Sequence, residues 1–174
     1  MECPGRRDAV ICGIDPGLRI MGYAVMRITD LGTSLVDAGV CRFDESLPLA
    51  RRLVDIERDL VSILADHKPR VVAVESLYAH YKHPRTAILM GHARGVILQT
   101  AAKLGIDVRD FAATRVKRHL TGNGRADKGQ MQRAIQTSLN LPELPEPPDV
   151  ADAIAIAMCC AAEMNQMAPA GVRV

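Results

Sequence analysis

The sequence predicts an α/β fold: a mixed five-stranded sheet flanked by helices. Three strand-like segments come early, at 10–14, 21–27 and 34–43, and their short polar connections suit an antiparallel meander. A stretch of helical period then separates them from Val71-Val72-Ala73-Val74, an apolar run of the kind that forms a parallel strand buried on both faces. Hydrophobic residues make up 48% of the 174, yet there is no Trp, two Phe and three Tyr, so the core must be aliphatic.

Residues 10–14, VICGI, form the first strand, and Asp15-Pro16-Gly17 turns the chain into the second. In 34–43, Val36, Ala38 and Val40 fall on one face, as in a half-buried third strand. From 47 to 66, Leu49, Leu53, Ile56, Leu60 and Ile63 recur at helical spacing among charged residues. Pro69 separates this helix from the fourth strand, which ends at Glu75. Pro84 opens a helix over 85–104, closed by Gly105. Its stripe of Ala87, Gly91 and Gly95 permits close backbone approach, either against the sheet or against another subunit. A fifth strand spans 106–111. Thr114 can cap a short basic helix, and a glycine-containing loop leads to a helix over 127–139. The stiff LPELPEPP segment precedes a last helix from Asp149 to about 163. The length fits one domain over 1–174, with 1–9 and 164–174 as flexible tails.

Charge and cysteine usage narrow the function. The net charge of +2 alone argues for no partner, but residues 103–133 hold eight Lys or Arg against three Asp. That stripe is either a solvated helix face or a directional polyanion site. Cys3, Cys12, Cys41, Cys159 and Cys160 show no CxxC pair and read as small apolar residues of a reduced, cytoplasmic protein. No apolar stretch is long enough to cross a membrane, and the first ten residues contain no apolar signal segment. His80 and His83 lack Cys or carboxylate partners at zinc spacing.

Four carboxylates stand where a packed domain normally avoids charge. Asp15 and Glu75 both end apolar strands, and if those strands are parallel neighbours the two acids meet at one edge of the sheet. Asp149 and Asp152 share one face of a helix whose continuation, AIAIAMCCAA, is apolar all round. Structural roles compete: Asp149 can be a helix cap, and Glu75 a polar strand terminus. Crowded carboxylates raise one another's pKa unless a cation offsets the repulsion. Oxygen-only ligands favour Mg²⁺ or Mn²⁺, and two such ions about 4 Å apart suit phosphodiester hydrolysis. Tyr78 and Tyr81 follow Glu75 closely, where an aromatic ring can stack on an unpaired base. Arg115, Lys117, Arg118, Arg125 and Lys128 supply candidate phosphate contacts.

The stretches GIDPGLRIMGYAV, VVAVES, GHARGV, VKRHLTGNGRADKGQMQ and DVADAIAIA together resemble the RuvC family of bacterial Holliday-junction resolvases, whose domain is ribonuclease H-like. The resemblance runs from residue 10 to about 162. It implies that Asp15, Glu75, Asp149 and Asp152 bind Mg²⁺ and catalyse cleavage of four-way junction DNA. It also implies DNA contact by Lys117 and Lys128, base probing by Tyr78, a homodimer, and a branch-migration complex as partner. LYAHYKHPRT, with Tyr, two His and Pro, departs from the family's usual pattern after Glu75. GIDPG alone also fits the phosphate turn of actin-like ATPases, although such folds pair two lobes and this chain has length for one. Another ribonuclease H-like nuclease and a silent junction-binding protein are the remaining alternatives.

Overall fold

In the computed structural model, residues 8–77 and 84–167 are described. Five strands form one sheet: β1 (Ala9–Asp15), β2 (Ile20–Thr29), β3 (Gly32–Arg42), β4 (Val71–Glu75) and β5 (Asp107–Phe111), in the order β3-β2-β1-β4-β5. The pairs β1–β2 and β2–β3 are antiparallel, as the short connections require. The pairs β1–β4 and β4–β5 are parallel, so each needs a helical crossover. Those crossovers are α1 (Leu49–His67) and α2 (Pro84–Lys103). The chain continues through α3 (Ala113–Thr121), α4 (Lys128–Leu139) and α5 (Pro148–Met167).

Alternation along the central strands divides the core into two layers. Ile11, Ala24, Met26, Val71 and Ala73 face α5, with α3 and α4 completing that side. Cys12, Ile14, Val25, Val72 and Val74 face the opposite way, against Ile56, Leu60 and Leu64 of α1 and Ala93, Ile97 and Ala101 of α2. Cys12, Cys159 and Cys160 are buried packing residues, and burial pushes the Cys12 and Cys160 thiols up to about 12.

Four local expectations are revised. A bulge between Val25 and Met26 skips Val36, which is 48% exposed, so Leu35 packs with Ala38 and Val40 against the α5 layer. Helix α3 begins one residue before Thr114; its N-cap is Ala112, with no side-chain cap bond. Gly91 and Gly95 have open space around them and are exposed, so their stripe does not pack on the sheet. Residue 9 is paired into β1, and α5 runs to Met167, four residues beyond the expected end. Helix α4 carries the clearest cap: Asp127 accepts from the Gln130 amide at 2.8 Å while the Gln130 side chain accepts from the Asp127 amide at 3.0 Å. Among the described residues, no helix is long and apolar enough to cross a membrane.

Candidate active site

Asp15 and Glu75 are the last residues of two neighbouring parallel strands. The register pairs Ile11 with Val71 and continues to Ile14 with Val74, so one further step sets Asp15 beside Glu75. Both follow the alternation of Ile11, Gly13, Val71 and Ala73, which directs them to the α5 face. Sheet-end placement gives each carboxylate a rigid backbone on one side and an opening toward solvent on the other.

Glycines bring α5 close enough to add its acids. A Cβ on Gly13 would lie 2.8 Å from the Ala157 Cβ and would also strike the Ala153 carbonyl. A Cβ on Gly22, opposite Asp15 in the β1–β2 ladder, would strike the Asp149 carbonyl. These positions must lack side chains for the helix to lie on the sheet. Small residues answer from the helix: Ala153 and Ala157 are wholly buried. The first turn of α5 therefore rests beside the end of β1, carrying Asp149 and, three residues on, Asp152.

The four acids share one electrostatic field. Burial, then Asp152, Glu75 and Asp149, push the Asp15 carboxyl up to about 8, with Lys128 opposing. Burial and Asp152 raise Glu75, and Lys117 holds it back. Burial also raises Asp152; Lys128 opposes this most strongly, Asp149 adds to it, and Lys117 opposes it further. Among the described residues, no three His, Cys, Asp or Glu side chains form a ready-made ion cage. The acids instead open on two hollows. Glu75 and Asp152 line one with Lys117, Lys128 and Met131. Asp15 and Asp149 line the other with Arg19, Arg52 and Met90. The donor set is oxygen-only and its members destabilise one another's charge, which fits a hard divalent cation.

The basic stripe divides between faces because successive helical residues turn by about 100°. Lys117 enters the carboxylate hollow, and Lys128 reaches it from the first turn of α4. Arg115 points elsewhere: it pairs with Glu163 at 2.8 Å and sits 5.4 Å over the Phe111 ring. Arg118 and Arg125 line a separate shallow cleft with Thr114, Asn123 and Gly124. Tyr78, and with it His80, Tyr81 and His83, lies outside the described residues.

Sequence reading missed two arginines that fasten the main chain beside the acids. Arg52 of α1 donates through Nε at 3.1 Å to the Leu18 carbonyl, in the turn after Asp15, and a second guanidinium nitrogen reaches the same oxygen. Arg94 of α2 donates through Nε at 3.2 Å to the Glu75 carbonyl and pairs with Asp110. The only available signal for Arg94 was one charge amid the small and apolar residues of GHARGV.

The family model described as "Crossover junction endodeoxyribonuclease RuvC" matches residues 11–160. A curated relative of that name from Rhodopirellula baltica is 48% identical over 156 residues, covering 90% of this chain and 87% of its own. The solved structure of Thermus thermophilus RuvC superposes with a TM-score of 0.82 at 30% identity, covering 91% of this chain and 97% of that one. The same protein in complex with a Holliday junction substrate gives 0.81 at 28% identity, with coverages of 92% and 97%. The chain belongs to the RuvC family, the divalent-metal-dependent crossover junction endodeoxyribonucleases that resolve Holliday junctions.

Proposed function

We propose that Asp15, Glu75, Asp149 and Asp152 together hold Mg²⁺, replaceable by Mn²⁺, as two ions per site and carry the hydrolysis of the junction strands. The carrying observation is the convergence of two strand-end acids and two acids of α5 into one field, in which Asp152, Glu75 and Asp149 all raise Asp15. When bound there, the divalent cation supplies the charge that activates a water and stabilises the leaving oxygen. The chain's own residues then have distinct tasks. The four carboxylates fix the position at which the phosphodiester must sit. Lys117 and Lys128 offset part of the carboxylate charge from the hollow that Glu75 and Asp152 line, where a phosphate can contact them.

Arg118 and Arg125 bind backbone phosphates farther along the junction arm, supported by their shared cleft. Arg115, whose side chain is 55% exposed, belongs to the same contact set, although Glu163 already engages it. Tyr78 stacks on an unpaired base at the crossover. A homodimer delivers two symmetric cuts, since a junction with two-fold symmetry is matched by an isologous pair. The open stripe of Gly91 and Gly95, with Ile88 63% exposed on the same helix face, supports that contact. The protein works in the cytoplasm with a branch-migration complex.

The test compares wild type with Asp152→Asn on a four-way junction and a linear duplex of the same sequence, with and without Mg²⁺. Paired nicks in the junction alone, dependent on Mg²⁺ and lost in the variant while junction binding persists, agree with the proposal. Equal cutting of both substrates, or full activity in the variant, contradicts it.

A further inference from the structure

Strand β4 is only five residues long, and its last residue is Glu75. The peptide group that leaves Glu75 is held at both ends. Its carbonyl accepts from Arg94 Nε at 3.2 Å, and its N–H, that of Ser76, donates to the Phe111 carbonyl at 2.9 Å. The same guanidinium pairs with Asp110, the residue before Phe111 on β5. One planar group therefore bolts α2 to the ends of β4 and β5. Arg94's side chain is 18% exposed, and the adjacent Ala93 is wholly buried.

The geometry separates this contact from the chemistry. Helix α2 packs on the face that receives Val72 and Val74, whereas Glu75 projects to the α5 face with Ala73. Arg94 therefore grips Glu75 through its backbone from behind the sheet. The positive charge of Arg94 is already met by Asp110. A guanidinium serves the carbonyl and the carboxylate from one rigid plane; an ammonium has donors for both but no fixed plane to hold them in register.

We infer that Arg94 is the positioning residue for Glu75, fixing the peptide plane at the strand end so that this carboxylate meets the cation with its three partners. This rests on the assignment of Glu75 to the metal site. Residues that orient a ligand from outside the ligand set typically change metal affinity or activity by roughly 10- to 100-fold.

The experiment uses the full chain with Arg94→Met, Arg94→Lys, Asp110→Asn and Glu75→Gln. Single-turnover cleavage of a four-way junction is measured at saturating protein, beside junction affinity without divalent metal and the Mg²⁺ dependence of the protein's Tm. Arg94→Met should cut roughly 10- to 100-fold more slowly and need more Mg²⁺ for half its thermal shift. Its junction Kd should stay within about two-fold of wild type, and Arg94→Lys should not restore the rate. In a Glu75→Gln background, where cleavage is lost, Arg94→Met should raise the Mg²⁺ requirement of the thermal shift no further. Wild-type rate and Mg²⁺ dependence in Arg94→Met would overturn the inference, as would a rate loss explained wholly by weaker junction binding. If Arg94→Met does not fold, Asp110→Asn decides: a slower cut with a raised Mg²⁺ requirement supports the clamp, and unchanged values overturn it. An active Glu75→Gln overturns the site assignment itself; an inactive Glu75→Gln beside an unimpaired Arg94→Met overturns the clamp alone.

Discussion

Replacing Asp15 by Asn should stabilise the metal-free protein, increasingly so as pH rises. The Asp15 carboxyl is displaced from 3.8 to about 8, first by burial and then by Asp152, Glu75 and Asp149. In the unfolded chain it loses its proton near the ordinary value, whereas in the folded state it keeps the proton to far higher pH. Between those limits the unfolded state binds fewer protons, so stability falls as pH rises through the window and levels off above about 8. At 1.36 kcal/mol for each pKa unit, the loss is on the order of 4 kcal/mol at pH 7 and somewhat more at pH 8. The neighbouring acids titrate with Asp15, which spreads the change over the whole window. Asn keeps the shape without the charge. The assay is urea unfolding followed by circular dichroism, in metal-free buffer from pH 4 to 9, for wild type and Asp15→Asn. The difference between the two should be smallest near pH 4 and grow to several kcal/mol in favour of the variant by pH 8. Added Mg²⁺ should then raise the wild-type Tm and leave the variant's nearly unchanged. A difference curve that stays flat from pH 4 to 8 would mean that Asp15 ionises near its ordinary value in the folded protein.

Gly22→Ala should cost roughly 3 kcal/mol in urea unfolding, because its methyl meets the Asp149 carbonyl and must push α5 off the sheet. Junction cleavage should fall with it, since Asp149 and Asp152 move together. Asp127→Ala removes the capping box of α4 and should cost about 1 kcal/mol by the same measurement. Lys117→Ala should raise the Glu75 carboxyl further, which NMR titration of the side-chain carboxyl carbon would show as a later midpoint. Gly95→Glu, placing a charge on the open stripe of α2, tests the proposed dimer: the fold should stay intact and light scattering after size exclusion should shift toward monomer.

Much of this architecture was legible because the signals were periodic. The apolar runs at 10–14 and 71–74 marked the two central strands, and the fully apolar stretch after Asp152 marked the helix lying across them. The four acids stood out as charges at the ends of apolar segments. Without the parallel pairing of β1 with β4, GIDPG remained compatible with an ATPase turn; Glu75 beside it, and α5 above, changed what Asp15 could do. What escaped was set by tertiary contact. The bulge that displaces Val36 depends on how β3 meets β2, and alternation along one strand cannot report a skipped residue. The basic stripe read as one surface, yet the turn of α3 sends Lys117 to the acids and Arg115 to Glu163. Arg52 and Arg94 bind backbone carbonyls, and a carbonyl leaves no trace in the identity of its residue.

The proposed function requires four carboxylates from two strands and one helix to form a single cation site. Anomalous diffraction from crystals grown with Mn²⁺ tests it most directly. Anomalous peaks should stand bounded by Asp15, Glu75, Asp149 and Asp152, and be absent from crystals of Asp152→Asn or reduced to one ion. Mn²⁺ bound elsewhere, with the four carboxylates left without an ion, would contradict it.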